Sequence, residues 1–163
     1  MKRKTIQSKP ADKSPMDAAL AYLTDRMRTV REVEDKLDDL QYGEGDILAT
    51  ISRLKELNLL NDEAYAREFV RSRLATKPVS RQKLYLDLRT HRVPEECIVA
   101  ALNELPRETE ADNAREVARK FWRQMSALEE NVRRERVLRR LMSRGFSAEA
   151  SLAAIRSVAE EDT

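Results

Sequence analysis

An all-α molecule of three tandem three-helix repeats, elongated and curved, is the fold this sequence predicts. Three observations carry that expectation. Breakers are scarce, with three glycines and five prolines in 163 residues, and aromatics make up only 5%. A chain so rich in Ala, Leu, Glu and Arg favours helix throughout. Apolar side chains recur at helical spacing from Pro15 onward, and 41% hydrophobic content in that pattern outweighs the 37% charge that would otherwise suggest disorder. The second and third helices of each unit also fall on one register. Val33, Leu84 and Val137 correspond, then Leu37, Leu88 and Leu141, then Ile47, Ile98 and Ser151, then Ile51, Leu102 and Ile155, then Leu54, Leu105 and Val158. All but one of these positions are apolar, and a period of about fifty residues reads as a repeat architecture.

The divisions follow from the punctuation. Met1–Ser14 is polar and lysine-rich, and it reads as a disordered basic tail that could also tether electrostatically. The first repeat spans 15–60. Met16, Leu20, Leu23 and Met27 are expected on the face of its first helix, and Thr29 with Glu32 forms a capping box for the second, whose core residues are Val33, Leu37 and Leu40. After the Gly43/Gly45 turn, Ile47, Ile51, Leu54 and Leu57 line the third.

The second repeat, 61–105, opens on the stretch around which the chain is organised. Asn61 or Asp62 caps a helix whose face carries Tyr65, Ala66, Phe69, Val70 and Leu74. Arg73 falls within that face and should snorkel or find a carboxylate. Lys77–Ser80 breaks the chain before a helix with Leu84 and Leu88, and Pro94 starts the next, which bears Ile98, Leu102 and Leu105. Leu86 lies opposite that core face and is expected to pack on a neighbouring repeat. In the third repeat, 106–163, Val117, Phe121 and Met125 anchor a helix over 109–125. Val137 and Leu141 follow on 131–143, and Gly145-Phe146-Ser147 leads into a last helix with Leu152, Ile155 and Val158.

Net charge is only +2, but its distribution is uneven: +4 over residues 1–14, −4 over 16–61, and +1 over each of 62–105 and 106–163. One cysteine, Cys97, excludes an internal disulfide and any multi-cysteine metal site. There is no apolar run of membrane-spanning length and no apolar core to a signal peptide, so a cytosolic protein is expected. Three glycines at these positions cannot build a phosphate loop, and His91 with Cys97 is more simply an ordinary pair than a nucleophile and base. Neither a catalytic constellation nor a metal or cofactor site is therefore expected.

Ala19-Leu20-Ala21-Tyr22-Leu23 through Arg26, and above all Leu57-Asn58-Leu59-Leu60-Asn61-Asp62-Glu63-Ala64-Tyr65-Ala66, resemble the RecX family of bacterial recombination regulators. The resemblance covers essentially Met16 to Val158. Two departures bear on turn geometry: Arg92 and Ser80 stand where the family usually has glycine. The resemblance implies a non-enzymatic accessory protein that binds the RecA filament on DNA. In that role it would suppress ATP hydrolysis, strand exchange and co-protease activity, and so act on recombinational repair and the SOS response.

Basic clusters are the candidate contacts for such a partner. Arg133, Arg136, Arg140 and Arg144 follow spacings of three and four and form a stripe beside Val137 and Leu141, while Arg81, Lys83, Arg89 and Arg92 surround the second helix of the middle repeat. Arginine suits both phosphates and acidic protein surface. DNA contact, to one strand or two, is expected to be non-specific and weak, and the protein monomeric. Trp122 could offer a base-stacking platform, but an anchor at a junction of repeats is the simpler role. Two other readings stay open. A helix-turn-helix regulator would need base-reading polar residues on its third helices, which here run Ile98-Val99-Ala100-Ala101-Leu102 and Ala150-Ser151-Leu152-Ala153-Ala154. A purely protein-binding adaptor would lack the steep salt dependence of phosphate contacts.

Overall fold

The structure, a computed structural model, describes residues 13–162; the tail predicted over 1–14 lies outside them except for Lys13 and Ser14. Within that span the chain forms helices α1 (Pro15–Leu23), α2 (Val30–Asp39), α3 (Glu44–Glu56), α4 (Asp62–Thr76), α5 (Arg81–Thr90), α6 (Glu95–Asn103), α7 (Thr109–Gln124), α8 (Glu130–Ser143) and α9 (Ala148–Glu161). There is no strand among the described residues. The fold is all-α, in tandem three-helix repeats.

Each unit buries its own core. Val33, Leu37, Ile47 and Leu54 belong to the first; Leu84, Leu88, Ile98 and Leu102 to the second; Val117, Trp122, Val137 and Ile155 to the third. The substantial helix–helix packing lies within units: α1, α2 and α3 contact one another, as do α4–α6 and α7–α9. The one polar member of the five register sets, Ser151, is also fully buried.

Capping chemistry sets the boundaries. Ser14 and Thr29 both form capping boxes, with Asp17 and Glu32 three residues on. Asn61, Ser80 and Ser147 each accept a backbone N–H from the first turn of their helices. Each second helix ends alike. Gln41, Arg92 and Gly145 sit at one register position with φ of 63°, 57° and 86°. The next amide, from Tyr42, Val93 or Phe146, reaches back to the carbonyl of Leu37, Leu88 or Leu141. These are Schellman closures, in which the left-handed residue frees the following apolar side chain to turn into the core.

Arg92 therefore holds the turn without glycine. A non-glycine residue there costs about 1–2 kcal/mol, partly offset in a glycine variant by about 0.5–1 kcal/mol of extra chain entropy. Gln41→Gly is expected to raise stability by about 0.5–1 kcal/mol, read from the chemical-denaturation midpoint. Arg92→Gly should gain almost nothing, because it also removes an exposed ion pair to Asp35 (2.8 Å) worth about 0.2–1 kcal/mol.

Several apolar side chains expected in the core are exposed. The first helix stops at Leu23, and its buried residues are Ala18 and Ala19, while Leu20 and Met27 face solvent. Leu57, Leu86 and Leu152 are also exposed, so Leu86 does not pack on a neighbouring repeat.

Candidate interaction surface

The second helices of successive units are joined end to end. Thr29, the buried cap at the start of α2, donates its hydroxyl to the carbonyl of His91 at the end of α5 (3.0 Å). Ser80, the buried cap at the start of α5, donates its backbone N–H to the carbonyl of Arg144 at the end of α8 (3.1 Å). The donor differs for a local reason. The Thr29 amide is already bound by Glu32 in its capping box, whereas Lys83 stands in that place after Ser80 and leaves the amide free. Each contact sets the negative end of one helix against the positive end of the next.

A second contact repeats beside the first. Asp62, at the start of α4, accepts the amide of Val30 (2.9 Å), and Glu110, at the start of α7, pairs at 3.9 Å with Arg81, one register period after Val30. Burial pushes the Asp62 carboxyl above its usual range, against the pull of the Val30 bond. His91 completes the first junction through Nδ1 to Glu32 (3.0 Å), with its ring against Tyr65 and Phe69. The segment from Asn61 to Phe69 thus caps its own helix and docks unit two onto unit one.

This architecture divides the candidate arginines. Arg81 donates to the carbonyls of Leu102, Leu105 and Pro106, closing the end of α6. Arg133 is only 11% exposed at its side chain; it lies 4.0 Å over the Trp122 ring and donates to the Trp122 carbonyl (2.8 Å) and to Asp162 (3.1 Å). Arg144 donates to the carbonyl of Pro78 (3.0 Å) across the second junction, and burial depresses its pKa. Lys83 pairs with Asp87 at 2.8 Å and Arg92 with Asp35.

Arg89, Arg136 and Arg140 remain exposed, with no ion pair among the described residues. Arg140 flanks the half-buried Phe121 ring at 5.5 Å, with Arg144 on the same ring at 5.4 Å. The fold therefore uses both ends of the four-arginine stripe and presents the middle. Lys120 and Arg123 on α7 are also exposed, with no ion pair among the described residues; single side chains on an amphipathic helix give no cluster to single them out. Trp122 lies in the core of unit three and not at a junction of repeats; at 3% exposure it cannot stack on a base, and its indole N–H is committed to Asp162 at 3.0 Å. The expected ionic partner of Arg73 is Asp87, 3.4 Å away.

Among the described residues no His, Cys, Asp and Glu side chains group so as to hold a metal ion, and no helix is long and apolar enough to cross a membrane.

Three family models match in sequence order: the first three-helix domain of RecX over residues 16–54, the second over 61–102 and the third over 108–155. The regulatory protein RecX of Streptomyces lividans is 31% identical over 143 residues, covering 88% of this chain and 76% of the relative. That of Prosthecochloris aestuarii is 31% identical over 136 residues, covering 82% and 86%. The crystal structure of RecX from Lactobacillus salivarius superposes with a TM-score of 0.77 at 27% identity, over 88% of this chain and 94% of that one.

Proposed function

The chain belongs to the RecX family of regulatory proteins, and from that premise we propose that it binds the RecA filament on DNA and restrains it. The restraint falls on ATP hydrolysis, strand exchange and co-protease activity. The observation that carries this reading is the match of all three repeats, in order, to the three RecX domains. The protein acts by occupancy, as a monomer in the cytoplasm, and not as an enzyme.

Arg89, Arg136 and Arg140 are the contacts we assign to the acidic surface and phosphates of such a filament, since among the described residues their guanidiniums have no carboxylate partner. Arg81, Lys83, Arg92, Arg133 and Arg144, though basic, have the partners described above. Replacement of Arg81, Arg133 or Arg144, which bond backbone carbonyls, would disturb the protein before any partner is involved.

The test is RecA ATP hydrolysis on single-stranded DNA, titrated with the natural protein and with Arg89→Gln/Arg136→Gln/Arg140→Gln. The natural protein should inhibit. The variant, folded as judged by circular dichroism, should need about tenfold more protein, as expected for three exposed charge contacts of roughly 0.5 kcal/mol each. Inhibition at equal concentrations would move the contact surface off these arginines. No inhibition by either protein would sink the RecA reading and favour an adaptor.

A further inference from the structure

Unit one carries an acidic cleft of which unit two engages only one carboxylate, Asp35. It has a volume of about 440 Å³ and lies between α2 and α3, with Glu34, Asp35, Asp38 and Glu44 around Ile47 and Leu48. Leu48 is 59% exposed. Arg31 pairs with Glu34 and Asp35, and Asp35 also takes Arg92 from unit two. Asp38 and Glu44 carry no ion pair among the described residues. An apolar floor under two unneutralised carboxylates suits a basic segment with an occasional apolar side chain.

We propose that this cleft is the docking site of the chain's own basic segment, residues 1–12. Its place of attachment favours this occupant. The carbonyl of Lys13 accepts the Tyr42 hydroxyl at 2.7 Å, and Tyr42 stands in the turn joining the two helices that wall the cleft. Twelve residues extend up to about 40 Å, so the segment reaches the cleft from that anchor. Its charge is complementary, with Lys2, Arg3, Lys4 and Lys9 against the single Asp12, and Ile6 supplies a side chain for the Leu48 floor. Attachment in the same chain gives the segment an effective concentration on the order of millimolar, which a separate basic peptide would have to match.

The clasp neutralises the tail and the cleft together. Its consequence for DNA rests on the function proposed above: phosphates and the cleft compete for the same lysines, so opening the clasp strengthens DNA binding.

Zero-length carbodiimide crosslinking of the full chain tests the clasp directly. The sample is an equal mixture of unlabelled and nitrogen-15-labelled protein, read by peptide mass spectrometry. Links from Lys2, Lys4 or Lys9 to Asp38 or Glu44 should form within one chain at low salt. Their yield should fall several-fold at about 1 M salt, where the Debye length is about 3 Å. In Asp38→Asn/Glu44→Gln protein, trypsin should cut after Arg3 and Lys4 several-fold faster than in the natural protein. Absence of these links, or tryptic rates unchanged in the variant, would overturn the proposal. Links found only between chains would do so too, assigning the cleft to a second copy. If the clasp is present but the variant binds single-stranded DNA no more tightly, the DNA reading fails and the clasp stands.

Discussion

Gly145→Ala is expected to destabilise the protein by about 3 kcal/mol. Two costs combine. At φ +86° the backbone lies in the left-handed region, where a side chain costs about 1–2 kcal/mol. The added Cβ would also lie 2.5 Å from the Ser80 hydroxyl oxygen and 2.9 Å from the Lys83 Cβ, and overpacking of that kind costs about 1–3 kcal/mol. The residues crowded belong to unit two, so the strain falls on the bond between the Ser80 amide and the Arg144 carbonyl. Chemical denaturation gives the loss. Adding Ser80→Gly should recover part of it, a coupling that a double-mutant cycle measures. A loss below about 1 kcal/mol, or strict additivity, would show that the junction yields without strain.

Trp122→Ala should cost about 3–5 kcal/mol, and the cost should stay in one unit. The indole is buried among Val117, Val137 and Ile155, with Arg133 on its face and Asp162 on its N–H. Removing it leaves a cavity and unseats both charged partners. Because the three cores are separate, α7–α9 should lose amide protection while α1–α6 keep theirs, and thermal unfolding should split into two phases. Uniform loss of protection along the chain would mean that the junctions couple the units far more strongly than their polar contacts imply.

The fold was legible in the sequence because the register of the second and third helices is written in large buried side chains. Val33, Leu84 and Val137, with Leu37, Leu88 and Leu141, are all fully buried at the positions their periodicity assigns. The first helix is only half legible: Met16 and Leu23 pack against the core as their spacing predicts, but the closest packing rests on alanine. Ala18 and Ala19 allow a close approach that larger residues would block, while Leu20, the more hydrophobic signal, is left outside. The RecX resemblance was legible in the Asn61–Ala66 segment, where the structure places an N-cap and a bridge between units.

The candidate surface was less legible, because spacing gives an angle on a helix and not the neighbours that folding brings to it. Arg144 meets the Pro78 carbonyl 66 residues away, and Arg133 meets Asp162 29 residues away. Neither partner lies within the few turns over which helical periodicity can be read.

The end-to-end joining of α8, α5 and α2 has no third counterpart at the start of α8 among the described residues. The register position of Thr29 and Ser80 is occupied in unit three by Arg133, which lies inside α8 because that helix begins a turn earlier. Its cap is Glu129, which makes no side-chain capping bond, and Glu130 follows. An incoming helix would bring carbonyl oxygens against the Glu129 and Glu130 carboxylates, without the buried hydroxyl that Thr29 supplies at the first junction. The rule that joins α8 to α5 and α5 to α2 is thus not carried on at the start of α8.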